Sequence, residues 1–137
     1  MKRIVHILLI EDDPLDQQEV RRTLDKRGIF YRLTILNNGE EVIDLLKASA
    51  FSLQKPDLIL ADLSMPKMDG LEVLSFLKAN PEWRDIKIFV LTASTDPEDK
   101  KAALSFGISG YINKPLKLEN HSSLDAFNLM MDLMNTM

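Results

Sequence analysis

The chain has 137 residues, 45% of them hydrophobic, a formal net charge of −4 and no cysteine, which suits one domain with a sizeable buried core. The missing cysteine excludes disulfides, thiolate metal sites and thiol catalysis. The acidic balance speaks against direct nucleic-acid binding, which wants a basic face, and no apolar run approaches the roughly 18 residues of a membrane helix.

Met1-Lys2-Arg3 followed by an apolar run from Ile4 to Ile10 has the outline of a signal sequence. The run is short, contains His6, stops at Glu11-Asp12-Asp13 and lacks a small-residue cleavage site, so it reads as a buried strand over Val5–Ile10. The expected location is the cytoplasm. Asp13 before Pro14 marks a helix start, and Gly28 a stop after about Arg27. That helix is polar, with Val20 and Leu24 its buried pair. Its basic residues Arg21, Arg22, Lys26 and Arg27 are interleaved with Asp25 and polar residues, as on a solvated face.

Tyr31–Leu36 reads as the second strand. Asn38 caps a second helix with Glu41 at its third position and Val42, Leu45 and Leu46 on the apolar stripe. Leu58–Ala61 forms the third strand, and Asp69-Gly70 opens a helix with Glu72 at the capping position and Leu71, Leu74 and Leu77 facing inward. Ile86–Leu91 is the fourth strand. Asp96-Pro97 starts the fourth helix, Gly107 ends it, and Tyr111-Ile112 is a short fifth strand. Leu124, Phe127, Met131 and Met134 mark the buried face of the last helix. Trp83, His6 and His121 read as packing or surface residues.

Five strands alternating with five helices predict an α/β three-layer sandwich with a parallel sheet. The flavodoxin-like doubly wound order 2-1-3-4-5 suits five strands, and such sheets bind ligands beyond the carboxyl ends of their strands. Glu11, Asp12 and Asp13 follow the first strand, Asp62 the third, Thr92 the fourth and Lys114 the fifth. Two carboxylates about 4 Å apart repel by about 4 kcal/mol at an effective dielectric of about 20, so this acidic cluster calls for a cation. All its donors are oxygens, which points to a hard ion, and Mg²⁺ suits a shallow site with few carboxylates. A carboxylate nucleophile, a cation and a facing lysine are the components of phosphoryl transfer.

Glu11-Asp12, Asp62 with Met65-Pro66-Lys67-Met68-Asp69-Gly70, Thr92-Ala93 and Lys114-Pro115 resemble the receiver domain of bacterial response regulators. Thr92 and Lys114 follow Asp62 by 30 and 52 residues (92 − 62 and 114 − 62), the family's spacing, and the resemblance covers about residues 4 to 135. It implies that Asp62 accepts a phosphoryl group from a sensor histidine kinase. Asp12 and Asp62 would then ligate Mg²⁺, with Glu11 acting through water and Ser64 through its backbone carbonyl. Lys114 and Thr92 would contact phosphoryl oxygens, Tyr111 would be an aromatic switch turning inward when Thr92 moves, and Pro115 would follow a cis peptide bond. Phosphorylation would be read at the surface of the fourth helix, fifth strand and fifth helix by an effector, a phosphotransfer protein or a second copy in a homodimer.

The stretch from Lys47 to Pro56 is longer than the usual receiver pattern, a feature similar to stand-alone receivers paired with phytochrome-type kinases. The expectation is a single receiver domain over residues 1–137 with no output domain, acting as a phospho-acceptor rather than a turnover enzyme. The alternative within signalling is a phosphorelay intermediate that passes its phosphoryl group to a histidine phosphotransfer protein. A phosphohydrolase would want an acid–base carboxylate two residues after Asp62, where Ser64 stands. A flavin module would set a phosphate against the acidic cluster.

Overall fold

The caps read from the sequence set the element boundaries. A computed structural model describes residues 4–48, 55–63, 70–114 and 124–136, with the side chains of 124–127 and 136 outside that description. In chain order the elements are β1 (Val5–Ile10), α1 (Pro14–Lys26), β2 (Tyr31–Leu36), α2 (Gly39–Ala48), β3 (Leu58–Ala61), α3 (Gly70–Ala79), β4 (Lys87–Thr92), α4 (Pro97–Leu104), β5 (Gly110–Asn113) and α5 (Leu124–Thr136).

Asp13 and Asp96 each accept a hydrogen bond from the N–H two residues on, at 2.9 Å, and a proline opens the helix behind each cap. Gly28 and Gly107 take φ of 67° and 74°, the left-handed conformation that ends a helix with no Cβ penalty. At the start of α2, the Asn38 side chain accepts from the Glu41 N–H at 2.9 Å. The Glu41 carboxylate in turn accepts from the Asn37 N–H at 2.7 Å, one residue before the cap itself. The expected partner of Glu72, Asp69, lies outside the described residues.

The sheet is parallel throughout, in the order β2-β1-β3-β4-β5. Side chains alternate between its faces, and that alternation divides the core in two. Val5, Ile7 and Leu9 of β1 pack with Leu58, Leu60, Phe89 and Leu91 against Val20 and Leu24 of α1 and Met130, Met131 and Met134 of α5. Leu8 and Ile10 pack on the opposite face with Ile59, Ile88 and Val90 against Val42 of α2, Leu74 and Leu77 of α3 and Ala103 of α4. Trp83 is buried in this second core. His6 is held by packing and hydrogen bonds: its N–H donates to Asp57 at 2.8 Å, and its ring Nε2 lies 2.9 Å from the Thr34 hydroxyl.

The result is the doubly wound α/β sandwich expected from the alternation. Two strands differ in their bounds. β4 runs one residue later than the sequence pattern indicates, because Thr92 still pairs with Asn113 of β5, and β5 is correspondingly longer. Tyr31 and residues 33–36 of β2 are only half-buried, since β2 is an edge strand with a neighbour on one side only. Among the described residues no helix is long and apolar enough to cross a membrane. His121 lies outside the described residues, as do the side chains of Leu124 and Phe127.

Candidate functional site

The ladder of backbone hydrogen bonds continues one residue past three strands and aims their tips. The Glu11 N–H donates to the Leu36 carbonyl at 2.9 Å, the Asp62 N–H to Ile10 at 2.9 Å, and the Lys114 N–H to Thr92 at 2.8 Å. Each tip residue is thereby fixed by the strand beside it. Glu11 and Thr92 are 0% exposed and Asp62 4%, and buried polar groups of this kind need partners.

Lys114 is the shared partner of the two buried carboxylates. Its ammonium lies 2.7 Å from Asp16 Oδ2, 2.9 Å from Glu11 Oε2 and 3.2 Å from Asp62 Oδ2. Burial opposes the charged amine, but Asp16, Glu11 and Asp62 outweigh it and raise its pKa. Lys114 is therefore a fixed positive charge at neutral pH. The other oxygen of Glu11 accepts from the Asp13 N–H at 3.1 Å. Even so, burial pushes the Glu11 carboxyl up to about 7, with Lys114 pulling down and the Asp62 charge pushing up.

Carboxylate oxygens of Glu11, Asp12 and Asp62 lie within 4.8 Å of one another, Asp12 the most exposed of the three. This donor set fits a divalent cation. The atoms are hard oxygens without sulfur or imidazole, and three carboxylates facing one ammonium leave an excess of negative charge for an ion to neutralise.

The sequence pattern of the Response regulator receiver domain family matches residues 7–123. The chain belongs to that family. It is therefore the receiver domain of a response regulator in two-component signalling. It is 36% identical over 122 residues to the response regulator Rcp1 of Synechocystis, covering 83% of this chain and 79% of Rcp1. It is 35% identical over 115 residues to a probable methanogenesis regulatory protein, FilR2, of Methanothrix harundinacea, covering 83% and 74%. Other relatives are longer: this chain spans 46% of the response regulator MprA of Mycolicibacterium vanbaalenii. In three dimensions it resembles the Mn²⁺-bound form of Rcp1, with a TM-score of 0.75 and 32% identity over 94% of this chain and 91% of that one. It also resembles the phosphorylated cyanobacterial phytochrome response regulator RcpA, with a TM-score of 0.75 and 25% identity over 98% and 91%.

Of the residues singled out in the receiver's sequence, Glu11, Asp12, Asp62 and Lys114 meet at one end of the sheet. Thr92 ends β4, next to β3, with its hydroxyl accepting from the Ser94 N–H at 3.2 Å. Asp13 is the cap of α1, as its position before Pro14 indicates. Ser64 and Pro115, with Met65 to Asp69, lie outside the described residues.

Tyr111 is the residue expected to be an aromatic switch that turns inward when Thr92 moves. It is already inward, 7% exposed in the core with Val90 and Ala103, and the Lys100 ammonium lies 5.8 Å from the ring centroid. Its hydroxyl is buried with no hydrogen-bond partner among the described residues. Burial, with the Asp99 charge, raises the phenol pKa.

Asp16 is the residue that sequence reasoning missed. It stands in the first turn of α1, three residues after the cap Asp13. An acid in the first turn of a helix reads as a partner for the helix dipole, so nothing local marks Asp16 as part of the site.

Proposed function

We propose that this receiver accepts a phosphoryl group on Asp62 from the phosphohistidine of a sensor histidine kinase, in a reaction that depends on Mg²⁺. The observation that carries the reading is Lys114 reaching both Asp62 and Glu11 from the tip of β5, at 3.2 and 2.9 Å. Asp62 and Asp12 would hold the cation directly and Glu11 through water, with the Ser64 carbonyl as a further ligand outside the described residues. A bound cation there neutralises charge on the phosphoryl oxygens. The Mn²⁺ named for the similar protein Rcp1 supports a divalent ion as the cofactor of this chain.

Asp62 would act as the nucleophile, a role supported by its post beside Lys114 at the tip of β3, where its N–H donates to the Ile10 carbonyl. One carboxylate oxygen forms the new bond to phosphorus, and the electron pair of the broken phosphorus–nitrogen bond leaves with the histidine. Lys114 offers its ammonium to a phosphoryl oxygen. The Thr92 hydroxyl, at the end of β4, is the donor for another. Tyr111 and the α4-β5-α5 surface would carry the signal to an effector, a phosphotransfer protein or a second copy. Similarity to Rcp1 and to the phytochrome response regulator RcpA supports a phytochrome-type kinase as donor. Such a protein is a phospho-acceptor that assists its own phosphorylation, not a turnover enzyme.

Incubation with a phosphorylated histidine kinase domain tests the reading. Wild-type protein takes up label only with Mg²⁺, and Asp62→Asn takes up none while keeping the wild-type circular dichroism. Undiminished labelling of Asp62→Asn rejects the assignment.

A further inference from the structure

The three N–H donors of the Lys114 ammonium are all taken up. Three carboxylates share its one ammonium, and the shortest contact, 2.7 Å, belongs to Asp16. Asp16 stands in the first turn of α1, outside the three-carboxylate cluster of Glu11, Asp12 and Asp62. Its side chain is 35% exposed, against 1% for Glu11 and 4% for Asp62. Of the three it is the one that can return to water at little cost.

We propose that Asp16 is a positioning residue that holds Lys114 toward α1 and competes with an incoming phosphoryl group for its ammonium, slowing phosphoryl acceptance. The inference rests on the assignment of Asp62 as acceptor. Two physical effects combine. An ammonium already paired with a carboxylate must exchange that partner for the phosphoryl oxygen before it can stabilise the transfer, so the barrier rises by the strength of the ion pair that has to break. Asp16 also adds a negative charge at the edge of a site that an anionic donor must enter, and like charges slow such an encounter. Asp16 thus links occupancy of the site to the first turn of α1.

Acetyl phosphate is a suitable probe because it needs no docking surface. In the transfer, an Asp62 oxygen bonds to phosphorus, the bond from phosphorus to the acetate oxygen breaks, and its electron pair leaves with acetate. At saturating Mg²⁺, Asp16→Asn should be labelled about fivefold faster than wild type, the effect expected for loss of a partly exposed ion pair. Its rate should also depend less on ionic strength, because the screened repulsion is gone. Asp16→Glu, which keeps the charge, should return both properties to wild type.

A second measurement uses no phosphodonor and no metal. In a chelator, Asp16→Asn and Lys114→Gln should shift the thermal midpoint non-additively, as residues in contact do. Additive shifts, or an Asp16→Asn protein labelled at or below the wild-type rate with an unchanged salt dependence, overturn the proposal. Absence of any labelling of well-folded wild type overturns the assignment of Asp62 and this inference with it. Normal wild-type labelling with an inert Asp16 leaves the assignment standing and removes only the competition.

Discussion

At the scale of single residues, the site is a problem of buried charge. Glu11 is fully buried, and burial raises its pKa to about 7 in spite of Lys114. A cation in the cluster needs this carboxylate ionised, so protons and metal compete for it. The sign follows directly: above about 7 the group is ready for the ion, and below it each bound proton must leave first. Apparent Mg²⁺ affinity should fall about tenfold between about pH 8 and about pH 6, and Glu11→Gln should flatten that dependence in calorimetric titrations. An affinity independent of pH in wild type contradicts the buried-acid account. In the metal-free protein the same group retains a proton that the unfolded chain has already lost. Folding stability therefore falls as pH rises from the ordinary carboxylate range through about 7. Glu11, Asp12, Asp62 and Lys114 were legible in the sequence because strand tips converge in a doubly wound sheet. The Lys114–Asp16 pair was not, since it joins residues 98 apart in the chain and no local pattern announces such a contact. The inward ring of Tyr111 was equally hidden, because an aromatic residue in a strand shows its position but not its rotamer.

At the scale of elements, the caps and alternating runs carried most of the fold. Asp13-Pro14 and Asp96-Pro97 mark α1 and α4 because a carboxylate accepting a free N–H and a proline needing none both suit a helix start. The end of β4 was less legible, since Thr92 stays in the sheet through its pairing with Asn113 of β5, a tertiary contact absent from the run of apolar residues. Gly70 shows a different limit. The sequence marks it as a turn residue, but the structure gives a steric reason: a Cβ added there would lie 2.7 Å from the Leu63 carbonyl oxygen and 2.9 Å from the carbonyl carbon. Backbone cannot rotate away as a flexible side chain can. Gly70→Ala should therefore destabilise the protein by about 1–3 kcal/mol, read as a lower urea midpoint. Leu63 follows Asp62 directly, so the same shift should slow labelling at the acceptor. A wild-type midpoint for Gly70→Ala would show that the Leu63 turn gives way freely.

At the scale of the whole molecule, the two cores hold α1 and α5 on one face and α2, α3 and α4 on the other, so the strands share one direction and their carboxyl ends lie together. This arrangement brings residues 11, 62 and 114 from three strands into hydrogen-bonding range. The similarity to Rcp1 extends over most of both chains, whereas the similarity to MprA covers about half of that protein, so what is shared is the receiver itself. The central claim is that a phosphoryl group resides on one particular carboxylate. The most direct measurement is to phosphorylate the protein in Mg²⁺, reduce it with borohydride, which converts an aspartyl phosphate to homoserine, and locate the product by peptide mass spectrometry. The account predicts homoserine at position 62 and nowhere else. Homoserine at another aspartate, or a phosphoryl group resting on a histidine, would contradict it.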